Sequence, residues 1–176
     1  SVTRTVLFDP LPVSNPDRFV QLFEVHKKRG WSSWGIKPSA VQEVRQQTNL
    51  FARLGLYEHD NLQLPGPDFP ETVDGLRVTP EFFSLWVTRP MLGRVFAQDE
   101  AKPGQDGVII LSHHLWLSRF GGDPAILGRP IQFIGQTCTV VGIMPPYFRF
   151  PRAYEDYWRP FTGPLPEPVV QVGFVV

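Results

Sequence analysis

The sequence predicts a strand-rich fold that mixes β and α elements, and three observations predict it. Prolines (19) and glycines (15) make up about a fifth of the 176 residues and cut the chain into short elements. The longest apolar runs, such as Val108 to Leu111 and Thr139 to Met144, have the length of strands. Apolar residues make up 42% of the chain and charged residues 19%, which is enough to build a packed core and excludes a disordered chain.

The elements follow in order. Asp9 to Asp17 holds three prolines, each driving the residue before it toward extended backbone. From Arg18 to His26 the residues alternate, with Phe19, Gln21, Phe23 and Val25 on one face, which predicts one strand. Gly30 to Gly35 reads as a loop carrying Trp31 and Trp34. A helix starting at Pro38 or Ser39 follows, because Val41, Val44, Thr48 and Phe51 recur at helical spacing and Glu43 places a carboxylate near its positive end. Ala52 to Leu64 reads as extended with a turn at Glu58-His-Asp-Asn61, and Pro65-Gly-Pro67 is a hard break.

Phe69 to Val78 reads as a strand pair, or as one strand interrupted at Asp74-Gly75. A short helix then opens with Thr79 as cap and Pro80 as first helical residue, turning Phe82, Phe83 and Trp86 inward. Arg89 to Arg94 is a turn, and Gly107 to Leu111 a buried strand. Ser112 caps a helix from His113 to Phe120 that ends at Gly121-Gly122. Ile131 to Phe133 and Thr137 to Met144 form a hairpin turning at Ile134-Gly-Gln136, and Pro145-Pro146 stops its second strand.

Charge and composition exclude several functions. Lys plus Arg and Asp plus Glu both number 17, so the chain lacks the basic excess that a nucleic-acid partner requires. No apolar run approaches the roughly 20 residues that cross a bilayer. The opening Ser-Val-Thr-Arg-Thr has no signal-peptide pattern. Cys138 is alone in a strand-like alternation, which fits a small buried residue and leaves no internal disulfide or Cys-based zinc site.

Four constellations could carry chemistry. Ser112 beside His113 and His114 suggests a nucleophile and its base, but consecutive helical residues point about 100° apart. No Gly-x-Ser-x-Gly elbow surrounds Ser112 either, so it reads as a cap. His26, His59, His113 and His114 show no metal-ligand spacing. Gly121 to Gly128 lacks the Lys-Ser/Thr of a phosphate loop and follows a helix, so it reads as a tight turn. Asp99-Glu100 and Glu155-Asp156 read as surface loops. The residues therefore nominate no catalytic, cofactor-binding or metal-binding group, and no cofactor.

Several ordered motifs resemble one family. Val78-Thr-Pro-Glu-Phe-Phe-Ser-Leu85, followed by Arg89-Pro-Met-Leu-Gly-Arg94-Val-Phe96, is similar to a stretch of the MacB-like periplasmic core domain. Ile110 to Trp116, Arg119 to Arg129, Thr137 to Pro146, Phe148-Arg-Phe-Pro151 and Asp156 to Pro160 continue the likeness in the same order, and Leu11-Pro with Asn15 to Arg18 resembles the family's entry from a first membrane helix. The details resemble the duplicated orphan permeases common in Acidobacteria.

The resemblance implies an α+β fold with two lobes, one split by insertion of the other. Residues 1–66 would belong to the split, porter-like lobe, 67–162 to the inserted lobe and 163–176 to a return segment. It implies a non-catalytic extracytoplasmic domain of an ABC transporter permease of the MacB/FtsX kind, at the periplasmic face of the inner membrane. Such a domain couples membrane-helix motion to export. The implied partners are the flanking transmembrane helices, a cytoplasmic ATPase subunit, and a periplasmic adaptor or other envelope protein, with no nucleic acid. The second reading is a periplasmic ligand- or peptide-binding module. The chain departs from the family after Phe161, where Gly163 to Val176 stops short of the expected return. The first lobe is therefore expected to be incomplete, with an unpaired apolar end.

Overall fold

The computed structural model describes residues 19–22, 24–26, 31–33, 53–86, 88–150, 155–162 and 171–175. The chain divides into unit 1 (Ser1–Glu58, Glu81–Val87, Pro164–Val176) and unit 2 (His59–Pro80, Thr88–Gly163).

Unit 2 is built around a strand with no polar face. β10 (Tyr157–Pro160) has four consecutive buried residues, as expected of a strand covered on both sides. It pairs in parallel with β5 (Glu71–Val78) and antiparallel with β7 (Val108–Leu111). The sheet runs from the second half of β4 (Arg53–Leu64) through β5, β10, β7 and β9 (Gln136–Ile143) to the two-residue β6 (Leu92–Gly93), and β8 (Pro130–Phe133) also pairs with β9. One core holds Leu62, Leu111, Leu115, Trp116, Phe133, Val140 and Tyr157. Trp158 faces the other way and meets Phe148 edge-on at 5.3 Å.

Local chemistry explains the elements that follow. Ser112 caps α1 (His113–Phe120) by accepting the Leu115 N–H at 3.1 Å, and Gly121 closes it in the left-handed conformation at φ 64°. The β8–β9 hairpin forms as read, with Phe133 paired to Gln136 across its turn. Cys138 is buried within β9, also as read.

In unit 1, β1 (Phe19–Leu22) and the first half of β4 flank β11 (Gln171–Val175), while β2 (Glu24–His26) pairs with β3 (Trp31–Ser33). A 3-10 helix, Pro80–Leu85, carries Phe82, which meets Tyr57 at 5.8 Å, Phe83 at 5.3 Å and Trp86 at 5.9 Å. Gly55 makes this packing possible, because a Cβ there would lie 2.7 Å from the Phe82 Cα.

Several expectations are corrected. The alternation from Arg18 to His26 divides into two strands with different partners, since period two marks extended backbone and not sheet membership. Trp31 to Ser33 is strand, not loop. The turn expected at Glu58 to Asn61 is absent and β4 runs unbroken for 12 residues. β5 continues through Asp74-Gly75, where a Cβ on Gly75 would sit 2.5 Å from the Tyr157 carbonyl oxygen, so the glycine admits β10 and does not end the strand. Arg89 to Arg94 contains β6, tied down by Met91 N–H to Ile143 O and Arg94 N–H to Val141 O. The C-terminal strand is paired on both sides, not left open. The helix expected from Pro38 or Ser39 to Phe51 lies outside the described residues.

Phe82 is fully buried among aromatic neighbours. Phe82→Ala is expected to lower unfolding free energy by about 3–5 kcal/mol in urea denaturation, as for other buried phenylalanines. A loss under about 1 kcal/mol would contradict this packing.

Candidate functional site

Two arrangements in unit 2 combine buried polar groups with a defined geometry. The first is an ion cluster on one face of the sheet. Arg77 and Arg159 are register partners on the parallel strands β5 and β10. Asp60, on the neighbouring strand β4, stands between their guanidinium groups, with Arg159 Nε 3.1 Å from Oδ2 and Arg77 Nε 3.8 Å from Oδ1. The Tyr157 hydroxyl donates to Asp60 Oδ2 at 2.9 Å. Burial, reinforced by the Asp60 charge, pushes the Tyr157 phenol well above its ordinary range, so it stays a donor. The Arg77 guanidinium also lies over the Phe161 ring at 5.6 Å. The Arg159 side chain is only 9% exposed. Removing the partner of so deeply buried a charge typically costs about 3–5 kcal/mol.

The second arrangement is a cleft of about 270 Å³ at the start of α1, lined by Ser112, His113, His114, Pro146, Arg149, Glu155 and Asp156 among others. It gathers two constellations that the sequence kept apart. Ser112 and the two histidines sit beside Glu155 and Asp156 because the backbone at Asp156 extends β10. Asp156 N–H donates to Asp74 O at 2.7 Å, and Ser112 N–H donates to Asp156 O at 2.8 Å. That ladder draws Glu155 inward, and its 6% exposure corrects the surface-loop reading. Burial raises the Asp156 carboxyl above its ordinary value. The Asp74 charge adds to the rise, while the Asp74 N–H and His114 oppose it. The Ser112 hydroxyl is engaged in capping, and the His113 ring packs edge-on against Trp116 at 5.6 Å.

The remaining candidates are structural. Gly121 to Gly128 is a turn in which the Asp123 carboxylate accepts the Ala125 N–H at 2.9 Å and the Asp123 carbonyl accepts the Trp116 indole N–H at 3.0 Å. Its anion-binding donor is thus occupied by the chain's own carboxylate. Glu100 takes two bonds from Arg94, at 2.7 and 2.9 Å, and one from the Ala97 N–H at 2.7 Å, and the Arg94 bonds hold its carboxyl below the ordinary range. Asp99 is exposed and pairs with Lys102, as a surface loop should. Burial raises the Cys138 thiol, against a reactive role. Among the described residues, no group of three His, Cys, Asp or Glu could hold a metal ion, and no helix is long and apolar enough to cross a membrane.

Sequence reasoning missed the Asp60 cluster. Its signal was present in two arginines set singly into apolar strands, Leu76-Arg-Val78 and Trp158-Arg-Pro160, but nothing linear links either one to Asp60.

Comparison with known proteins decides the family. A family profile described as the MacB-like periplasmic core domain matches residues 8–167. The chain belongs to this family. As a MacB-like domain it is the periplasmic-side part of an ABC-type transporter permease. Solved structures share its fold. The periplasmic region of MacB from Actinobacillus actinomycetemcomitans matches with a TM-score of 0.68 at 12% identity, over 90% of this chain and 74% of that one. The extracellular domain of the noncanonic ABC-type transporter YknZ from Gram-positive bacteria matches with a TM-score of 0.59 at 11% identity, over 80% and 73%. No curated protein sequence matches the MacB-like chain.

Two outcomes test the cleft. Ser112→Ala is expected to reduce stability by roughly 0.5–2 kcal/mol in chemical denaturation, the ordinary effect of losing a cap. Asp156→Asn tests the raised carboxyl. A group whose folded pKa exceeds its unfolded one favours folding most below the unfolded value, and that contribution is lost as pH rises through the folded value. The parent is therefore expected to lose stability relative to Asp156→Asn as pH climbs from the acidic range to neutrality. Thermal melts of both proteins across that range check it, and a parent that gains on the variant would show the sign to be wrong.

Proposed function

We propose that this domain couples movement of the permease's membrane helices to the handling of export substrate or partner proteins, without catalysing a reaction itself. The observation that carries this reading is family membership across residues 8–167. The chain's layout supports it. The chain passes between the two units after Glu58, Pro80, Val87 and Gly163, and β4 runs through the first of these passages as an unbroken strand. A coupling element needs contacts that differ between two states more than it needs a reactive group. The partners proposed are a cytoplasmic ATPase subunit and a periplasmic adaptor or other envelope protein. The exposed stretch from Gln98 to Gln105 offers polar groups suited to a reversible interface.

The second reading, a periplasmic ligand- or peptide-binding module, is favoured by one observation. A depression of about 450 Å³, lined by Leu64, Pro65, Phe120, Ile126 and Ile131 among others, falls within the roughly 300–1,000 Å³ of small-molecule sites.

The test uses the full-length permease, otherwise free of cysteine, with Cys138→Ala and nitroxide labels on Ser84→Cys in unit 1 and Gln105→Cys in unit 2. Both label sites are exposed. Reconstituted with its ATPase, the protein is expected to show a label–label distance distribution that shifts between the nucleotide-free and the ATP–vanadate states. A distribution that stays put through the cycle would overturn coupling and leave the binding module.

A further inference from the structure

The chain crosses between the units at four points, and strands that lie near three of them in sequence meet at one carboxylate. Asp60 lies on β4, two residues beyond the passage after Glu58. Arg77 lies on β5, shortly before the passage after Pro80, and Arg159 lies on β10, shortly before the passage after Gly163. Their side chains converge on Asp60 at 3.8 and 3.1 Å, and Tyr157 adds a hydrogen bond at 2.9 Å.

Backbone pairing thins out at this end of β10. The ladder to β7 covers only Tyr157 and Trp158. Pro160 has no N–H to donate, so the β5 side is carried past it by the single Phe161 N–H to Val78 O bond of 2.8 Å. Beyond Trp158, β10 keeps its backbone register with β5 alone, and side chains add to what holds the strands in step. A buried arginine is suited to this. Sliding β10 past β4 would strip Arg159 of its anion in a place where water cannot replace it, so the resistance is steep.

We propose that Asp60, Arg77 and Arg159 form a coupling node that binds the roots of β4, β5 and β10 into one rigid body, so that displacement arriving along any of the three strands is shared by all. The purpose of the node rests on the coupling reading above, but its existence is tested separately. Asp60→Asn removes the shared charge and keeps the acceptor for Tyr157. Arg77→Gln removes one arm from a side chain that is 35% exposed, where the fold tolerates the loss.

The experiment uses the doubly labelled full-length permease, without nucleotide and well below its melting transition. The width of the resting distance distribution between the labels on Ser84→Cys and Gln105→Cys is the readout. Breaking the node is expected to widen it about twofold in Asp60→Asn and measurably in Arg77→Gln, since the passages lose their common anchor. Parental widths in the folded variants would overturn the node, and if Asp60→Asn does not fold, Arg77→Gln decides alone. The two proposals fail separately. A parent with no nucleotide-driven shift refutes coupling, whereas unchanged resting widths refute only the node.

Discussion

A buried arginine has to be given its anion, and much of unit 2 is arranged around that requirement. Arg159 stands in the middle strand of the sheet, with Trp158 before it and Pro160 after it, all of them buried. β4 delivers the Asp60 carboxylate to within 3.1 Å of its guanidinium, which offsets part of the cost of burying the charge. Delivering Asp60 requires β4 to pass straight through Glu58 to Asn61, a polar stretch that in isolation favours a turn. The same carboxylate then takes the Tyr157 hydroxyl and faces Arg77, so one anion organises residues from three strands.

Close packing supplies the second constraint. β10 can lie against β5 because Gly75 offers no Cβ to the Tyr157 carbonyl, and the 3-10 helix of unit 1 can approach β4 because Gly55 offers none to Phe82. Such glycines weaken a strand taken alone, yet each admits a large aromatic group whose burial outweighs the loss. The two units thus use one device, a glycine in a strand facing a ring or backbone that could not otherwise come near.

Polar groups are used structurally at nearly every position that could have suggested chemistry. The Ser112 hydroxyl caps α1, the Asp123 carboxylate closes a turn, Glu100 is clamped by Arg94, and Cys138 is buried with its thiol held protonated. Each of these bonds ties a loop or a helix end to the chain beside it and so stiffens the packing around it.

Local chemistry was legible in the sequence wherever one short segment contained both partners of an interaction. Ser112 with Leu115, Gly121 at the end of α1, the hairpin around Gly135 and the inward ring face of Phe82, Phe83 and Trp86 all follow from neighbours in the chain, and ordered motifs pointed to the family. The tertiary structure alone decided what depends on partners far apart in sequence. Asp60 and Tyr157 are separated by 97 positions, so no local pattern could turn the expected turn into a strand. Glu155 is buried because Asp156 joins Asp74, and Arg18 to His26 divides because its two halves meet different strands. Periodicity reports backbone conformation and the burial of a face, whereas sheet order and the pairing of buried charges are set by which distant segments arrive beside it.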